Sequence, residues 1–322
     1  MASPHQMAAA VQALMKKAEL SSEEVTRRLA LLRDRDYWRQ LVPFATIEAR
    51  TNSDTPHETM RIAAGAAARE TGRIAGEGYF RLEEVVEAER IGRMRRTVEA
   101  VRAARWPPVF AFLFDDFWSI AQSQALLGFV EASLGPRCLQ NTVIWAHWVA
   151  GEAGHEGWSP HVDAAREGNR FLSVWIALSD ATVNNGCMSL VRPRAIAPEI
   201  AHAIEAHADL DRAAYRGLLQ NVVALPVKAG SIIGWRGDVL HWGGVNTGDA
   251  SPRVSLALEF RSRDSTATKF EAPLIDPRDG PPPFALRLFA ISKALREYPK
   301  FEPMMERFRG LAERLWEETK PV

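Results

Sequence analysis

The chain has 322 residues, of which 47% are hydrophobic, enough apolar material for one large core or two small ones. Its 40 basic and 40 acidic side chains give a formal net charge of zero, so charge provides no general attraction to nucleic acid or to an anionic membrane. Two cysteines, Cys138 and Cys187, are too few for a disulfide framework. The sequence has neither a leader-like start nor a stretch long enough to span a bilayer, which predicts a cytoplasmic protein.

Residues 1–135 have the periodicity of helices. Apolar residues recur at helical spacing at Met7, Val11, Leu14 and Ala18. A capping box at Ser21 and Glu24 predicts the start of a second helix. Two further helices are predicted over Glu83–Ala104 and Asp116–Leu134, whereas Thr51–Thr71 is only weakly patterned.

After residue 135 the helical period gives way to the alternation of short strands. The predicted strands are Thr142–Ala150, Arg170–Leu178, Met188–Val191, Asn221–Leu225, Ser231–Trp235 and Arg253–Arg261. Residues 197–220 are predicted to form a helical insertion in this core of residues 136–265, and the tail of residues 266–322 is helical again. We therefore expect a single domain, residues 1–322, with a β-sandwich core braced by terminal helices.

The strongest chemical pattern is His161-Val162-Asp163, followed far downstream by His241. In an extended segment residues i and i+2 project to the same side, so His161 and Asp163 can bind one metal while a distant strand supplies the third ligand. A His-x-Asp pair alone is a weak indicator because it often occurs by chance. Two imidazoles and one carboxylate, however, leave three octahedral positions open, which is the ligand set of a non-haem Fe(II) oxygenase.

The strand that begins at Arg253 has an apolar face and a face of polar and small residues. The apolar side should pack into the core, which leaves the side with Arg253 and Ser255 for a cavity. A guanidinium binds a carboxylate in bidentate fashion and a serine adds a hydroxyl, which is what the distal carboxylate of 2-oxoglutarate requires. The strand Phe171–Leu178 alternates likewise and directs Trp175 to the same cavity, although a core tryptophan without a ligand contact is nearly as plausible.

In this order the residues resemble the phytanoyl-CoA dioxygenase-like branch of the Fe(II)/2-oxoglutarate oxygenases. The landmarks are Trp158-Ser159-Pro160-His161-Val162-Asp163, Trp175-Ile176-Ala177-Leu178, Asn185-Gly186-Cys187-Met188 leading to Pro193, His241 with Asn246, and Arg253-Val254-Ser255. The resemblance covers about residues 147–261. Two departures are Pro193-Arg194-Ala195-Ile196, where the family often has Pro-Gly-Ser-His, and a slightly longer Gly248–Pro252 loop before Arg253.

The resemblance implies a double-stranded β-helix, or jelly roll, with flanking helices. It implies a dioxygenase that uses Fe(II), 2-oxoglutarate and O2, commonly hydroxylates a small-molecule substrate, and releases succinate and CO2. The implied iron ligands are His161, Asp163 and His241. It also implies that Arg253 and Ser255 hold the distal carboxylate of 2-oxoglutarate and that Trp175 lines its pocket. The related halogenases lack the carboxylate ligand that Asp163 provides.

Two other classes remain compatible with these residues. A cupin-like metal-dependent hydrolase or isomerase would use the triad without a co-substrate task for Arg253 and Ser255, and a non-catalytic jelly-roll module would need none of them. The sequence leaves open the substrate, the position oxidised and the oligomeric state. Two groups of side chains could either contact the substrate or have no role in binding. His147 and His155 could instead be surface or core residues, and Arg166, Arg170, Arg192 and Arg194 could be solvated charges at strand ends.

Overall fold

The computed structural model describes residues 19–48, 59–164, 170–193 and 211–320. Several predictions lie outside these ranges: the helix predicted around residues 7–18, the side chains of Arg166 and Arg194, the stretch after Pro193, and the first part of the 197–220 insertion. Within the described ranges, no helix combines the length and the apolar character needed to cross a membrane.

Along the chain, most helices lie before or after the block of strands. The described α-helices are α1 (Ser22–Arg33), α2 (Arg35–Leu41), α3 (Ala64–Glu77), α4 (Ala88–Ala103), α5 (Asp116–Ser119), α6 (Gln124–Leu134), α7 (Arg212–Gln220), α8 (Phe284–Glu297) and α9 (Arg309–Thr319). Short 3₁₀ segments are Pro108–Leu113, Ile120–Gln122, Pro277–Asp279, Tyr298–Lys300 and Pro303–Phe308. The predicted N-cap is confirmed, since the backbone N–H of Glu24 donates to Ser21 Oγ at 3.2 Å.

The strands form two antiparallel sheets. They are β1 (Tyr79–Leu82), β2 (Leu139–Val149), β3 (Phe171–Ala177), β4 (Met188–Val191), β5 (Val222–Leu225), β6 (Ile232–Arg236), β7 (Leu240–Gly243) and β8 (Arg253–Arg261). One sheet has the order β1-β6-β3-β8-β2 and the other the order β5-β4-β7. The predicted fold class, a double-stranded β-helix with flanking helices, is confirmed.

Three local predictions differ from the structure. Tyr79–Leu82 lies in the region predicted to be helical but pairs with β6, because four residues are too few to show strand alternation. The predicted helix Asp116–Leu134 is broken at Ser123, whose Oγ accepts a hydrogen bond from the N–H of Leu126 and so caps a new helix. In the tail that was predicted to be helical, Pro303–Phe308 forms a 3₁₀ segment instead, and Met304 within it is 68% exposed.

Strand β8, which lies between β3 and β2, separates the core from a cavity. Its apolar residues are fully buried in the main hydrophobic core: Val254, Leu256, Leu258 and Phe260. Its opposite face carries Arg253, Ala257 and Glu259 into the cavity lining. The predicted alternation therefore holds, and the polar face is buried because it lines an internal site rather than the outer surface.

Candidate metal centre and co-substrate pocket

His161, Asp163 and His241 converge in the structure, and their ligand atoms all lie within 4.8 Å of one another. Asp163 Oδ1 is 3.5 Å from His161 Nε2 and 3.6 Å from His241 Nε2. The three atoms surround one point and could hold a metal ion. The predicted side chains are therefore brought together, and the spacing of i and i+2 in the extended His-x-Asp segment places the first two as expected.

The backbone fixes the two histidines. His161 and His241 form an isolated antiparallel bridge in which each backbone N–H donates to the other's carbonyl, at 3.1 and 3.0 Å. Each ring also places Nδ1 against a carbonyl two residues earlier, Ser159 O at 2.6 Å and Val239 O at 3.0 Å. An imidazole that donates from Nδ1 keeps its Nε2 lone pair for a metal.

Asp163 is held by two neighbours from the five-stranded sheet. Ser173 Oγ on β3 donates to Asp163 Oδ2 at 2.5 Å, and Trp235 Nε1 on β6 donates to the same oxygen at 2.9 Å. These bonds occupy Oδ2 and leave Oδ1 facing the histidines. Neither Ser173 nor Trp235 was predicted to contact Asp163, because no local pattern links β3 or β6 to the His-x-Asp segment.

The protonation states suit metal binding. Burial alone would raise the pKa of Asp163, yet the nearby histidines and the hydrogen bonds from Ser173 and Trp235 hold it below its ordinary value. Burial lowers the pKa of His241 to about 4, although Asp163 acts in the opposite direction. At neutral pH the site therefore presents a carboxylate and a neutral imidazole, which are the forms that coordinate a metal.

A second group of buried side chains has polar atoms without a hydrogen-bond partner among the described residues. Arg253 is 1% exposed and Ser255 is 0% exposed, both on β8, and Trp175 is 2% exposed on the neighbouring β3. Among the described residues, Arg253 Nε, Ser255 Oγ and Trp175 Nε1 have no hydrogen-bond partner. Burial lowers the pKa of Arg253 only to about 10, so it remains cationic. A ligand with a carboxylate would satisfy these groups.

Two glycines make room for the guanidinium of Arg253. A Cβ at Gly157 would lie 2.5 Å from Arg253 Nη2, and one at Gly243 would lie 2.8 Å from the same atom. The two glycines also face each other, since the Cβ added at Gly157 would meet Gly243 Cα at 2.6 Å. The chain thus needs glycine at both positions to bring β7 and the segment before His161 against Arg253.

The landmark residues Asn185 and Gly186 form a turn that packs against the segment after β7. Gly186 has a φ of +80°, and Asn185 Oδ1 accepts a hydrogen bond from the N–H of Thr182 at 2.7 Å. A Cβ at Gly186 would meet Gly244 O at 2.3 Å, so the turn packs directly against the end of β7. Asn185 and Asn246 form the bridge between them.

The C-terminal tail closes the cavity, a contribution that the sequence did not indicate. Tyr298 lines the cavity, and Phe301 lies against the ring of His161 with centroids 4.7 Å apart. Glu302 Oε1 accepts hydrogen bonds from Trp145 Nε1 at 2.7 Å and from Trp158 Nε1 at 2.9 Å. These contacts join residues far apart in the chain, so local periodicity carries no signal for them.

The remaining candidates separate into cavity and surface residues. His147 is buried, lines the cavity, and has a pKa well below its ordinary value, first because of burial and then because of the positive charge of Arg253. His155 is largely exposed. Arg170 is exposed, and Arg192 is exposed and pairs with Glu77 at 3.1 Å. Of these, the structure places only His147 in the cavity.

Comparison with known proteins places this site in a family. Residues 115–255, a little under half of the chain, match the family model of phytanoyl-CoA dioxygenase. This segment belongs to the phytanoyl-CoA dioxygenase-like family. It contains every metal and co-substrate residue predicted from the sequence. A match to a dioxygenase family agrees with the iron and 2-oxoglutarate predicted from the sequence and with the His-Asp-His triad.

Solved structures show the same fold. The chain is similar to the non-haem α-ketoglutarate-dependent epimerase SnoN from nogalamycin biosynthesis, with 19% identity and a TM-score of 0.51 over 62% of this chain and 84% of that one. It is also similar to the non-haem monooxygenase ThoJ, with 18% identity and a TM-score of 0.50 over 77% of this chain and 98% of that one. At such identities the likeness concerns the fold alone. No curated protein sequence matches the chain significantly.

Proposed function

We propose that the chain is an Fe(II)/2-oxoglutarate-dependent dioxygenase that hydroxylates a small organic molecule and releases succinate and CO2. The observation that carries the proposal is the pairing of two features in one cavity. A His-Asp-His triad lies near three buried side chains, Arg253, Ser255 and Trp175, each with one polar atom that lacks a partner among the described residues: Arg253 Nε, Ser255 Oγ and Trp175 Nε1. A metal site alone does not explain a buried cation next to it.

We assign the metal ligands as His161 Nε2, Asp163 Oδ1 and His241 Nε2. Three protein ligands would leave coordination positions of Fe(II) open for 2-oxoglutarate and O2. When bound, the iron and its co-substrate supply the oxidising power for breaking a C–H bond. The protein would position the reactants, supply charged side chains that bind them, and exclude water from the site.

Arg253 is assigned to the distal carboxylate of the co-substrate, with Ser255 and Trp175 beside it. A buried guanidinium without an anion is costly, and a carboxylate ligand offsets that cost through charge-assisted hydrogen bonds. Gly157 and Gly243 hold the guanidinium in place by allowing close backbone approach. The pocket would therefore recognise 2-oxoglutarate by the fixed positive charge of Arg253.

The aromatic wall excludes water from the reacting side of the metal. Trp158 lies 4.4 Å from the ring of Tyr298 and stacks on Phe301 at 4.5 Å, and Phe301 lies against the proposed ligand His161. Such a wall protects a reactive site from solvent and orients an apolar substrate.

The test is O2 consumption and succinate formation by the purified chain loaded with Fe(II), with and without 2-oxoglutarate. We expect slow uncoupled turnover that needs both, and loss of it in Arg253→Gln but not in Arg263→Gln, a change at an exposed arginine just beyond the same strand. Metal binding by Arg253→Gln should persist. An O2 uptake rate that does not depend on 2-oxoglutarate, or full succinate formation by Asp163→Ala, would contradict the assignment.

A further inference from the structure

Glu259 is a cavity residue that the metal and co-substrate assignments leave without a role. It lies on the same face of β8 as Arg253 and Ala257 and lines the same cavity. Between residues 253 and 259 an antiparallel strand rises about 20 Å, so a five-carbon co-substrate anchored on Arg253 does not reach it. Its cross-strand neighbour is Ser173, which holds Asp163. Glu259 therefore lies beside the metal centre, beyond the co-substrate.

A β-bulge builds the surroundings of this carboxyl. The pairing of β2 with β8 shifts register between Gln140 and Ile144, and the extra residues bring Asn141 next to Glu259. Asn141 Nδ2 donates to Glu259 Oε2 at 3.1 Å, while Asn141 Oδ1 is buried without a partner among the described residues. Among the described residues, only Asn141 makes a hydrogen bond to the Glu259 carboxyl. The carboxyl therefore has further oxygen lone pairs, and in its neutral form an O–H group, that can bond to a ligand in the cavity.

The charged groups nearby have other partners. Glu271 pairs with Arg261 at 2.6 Å, and Lys293 Nζ donates to Thr142 Oγ1 and to the carbonyl of Ala272. Burial raises the pKa of Glu259 well above its ordinary value, and the negative charge of Asp163 adds to this effect. Both effects favour the neutral carboxyl, which offers one O–H donor and one carbonyl acceptor.

The rest of this end of the cavity is apolar or aromatic. Val143, Ile144, Trp145 and Tyr298 line it, and the indole N–H of Trp145 is already bound to Glu302. A polar carboxyl in such a wall costs free energy unless a ligand completes its hydrogen bonds. A hydroxyl group, which donates and accepts at one atom, complements a neutral carboxyl in both directions.

We propose that Glu259 binds a hydroxyl group of the organic substrate, whose remaining surface is apolar and packs against Ile144, Trp145 and Tyr298. The proposal rests on the proposed function, because it places the substrate between Glu259 and the metal. It deepens that function by naming the substrate class, an apolar alcohol or phenol. Glu259 then acts as a specificity-determining residue that positions a C–H bond near the metal.

The test uses the chain loaded with Fe(II) and 2-oxoglutarate without O2, so that binding is measured without turnover. The probes are 2-phenylethanol, its methyl ether, which cannot donate a hydrogen bond, and 2-phenylethylamine, each titrated by calorimetry. We expect the alcohol to bind about tenfold more tightly than the ether, the effect of one net hydrogen bond. Glu259→Leu should remove this preference, whereas Glu89→Leu, at a side chain that is 90% exposed, should keep it.

Three results would overturn the hydroxyl site: equal affinity for alcohol and ether, tighter binding of the amine, or a preference that survives Glu259→Leu. If Glu259→Leu does not fold, the comparison of probes on the wild-type chain still decides. The affinity for 2-oxoglutarate is measured in parallel and should change less than about twofold in Glu259→Leu. A wild-type chain that binds neither Fe(II) nor 2-oxoglutarate would instead overturn the proposed function.

Discussion

His161 and His241 form a mutual pair of backbone hydrogen bonds, and their rings lie with centroids 4.3 Å apart. The bridge ties the His-x-Asp segment to β7, so the two histidines approach each other as backbone neighbours rather than as flexible side chains. Both rings direct Nδ1 to a carbonyl and Nε2 toward Asp163. This arrangement fixes two of the three proposed ligands before any metal binds and reduces the ordering that binding requires.

Ser173 and Trp235 should control metal affinity although neither is a proposed ligand. Ser173→Ala and Trp235→Phe each remove one hydrogen bond to Asp163 Oδ2 and free the carboxylate to rotate. We expect the Fe(II) dissociation constant to rise by about 10 to 100-fold in each variant, as is typical when the partners of metal ligands are lost. The measurement is anaerobic Fe(II) titration. Ser292→Ala, which removes a buried hydroxyl on α8, is the control and should leave metal affinity unchanged.

Arg253→Met should weaken co-substrate binding without lowering the stability of the chain. The truncation removes the cation that we assign to 2-oxoglutarate, so we expect its affinity to fall by about 100-fold or more. The metal-free and ligand-free chain should unfold at the same or a higher temperature, because an apolar side chain replaces a buried charge whose Nε has no hydrogen-bond partner among the described residues.

Arg287→Met is the matched control for that variant. Arg287 is equally buried, but it pairs with Asp115 at 2.7 Å and donates to two backbone carbonyls. Breaking this pair should destabilise the chain by about 3 to 5 kcal/mol. Thermal unfolding and 2-oxoglutarate titration of both variants show whether Arg253 binds the co-substrate or stabilises the fold. An Arg253→Met chain that loses as much stability as Arg287→Met would show that Arg253 is a structural residue.

Gly157→Ala should reduce the affinity for 2-oxoglutarate through Arg253. The added methyl would lie 2.5 Å from Arg253 Nη2 and 2.6 Å from Gly243 Cα, so the guanidinium or the backbone must move. A displacement of this size at a binding group corresponds to a loss of at least about tenfold in affinity. Gly65→Ala serves as a control, since its methyl meets open space on α3 and should stabilise the helix by about 0.5 to 1 kcal/mol. Unchanged co-substrate affinity in Gly157→Ala would contradict the role given to Arg253.

The parts that sequence could predict are those with a local signature. The alternation of β8 placed Arg253 and Glu259 on one face, and the His-x-Asp spacing brought His161 and Asp163 together. The strand Tyr79–Leu82 had no such signature, because four residues show no period and its partner β6 lies far along the chain.

The tail shows the same limit at the site itself. Its apolar stripe predicted helices, and α8 and α9 are present, but the 3₁₀ turns between them place Tyr298 and Glu302 against the cavity wall. The hydrogen bonds from Trp145 and Trp158 to Glu302 exist only once the tail has docked. The proposed metal ligands could therefore be predicted from their spacing, whereas the aromatic side chains that line the cavity depend on tertiary packing.

His147 should make the metal-free chain less stable in acid. Burial, the positive charge of Arg253 and the nearby His161 place the pKa of His147 well below its ordinary value near 6.5. Below pH 6.5 the unfolded chain therefore binds a proton that the folded chain does not, so the free energy of unfolding falls as the pH drops. For one group the slope approaches about 1.4 kcal/mol per pH unit. Above pH 6.5 the imidazole is neutral in both states, and its contribution is constant.

The measurement is urea unfolding of the metal-free chain between pH 7.5 and pH 4.5. Other buried groups also titrate, among them His241, so the informative quantity is the difference between the wild-type chain and His147→Gln. We expect any stability advantage of the wild-type chain to shrink as the pH falls below 6.5, because glutamine takes up no proton. His155→Gln, at a largely exposed side chain, should follow the wild-type pH dependence. A difference between the wild-type chain and His147→Gln that stays constant over the whole range would show that His147 is not held neutral by the fold.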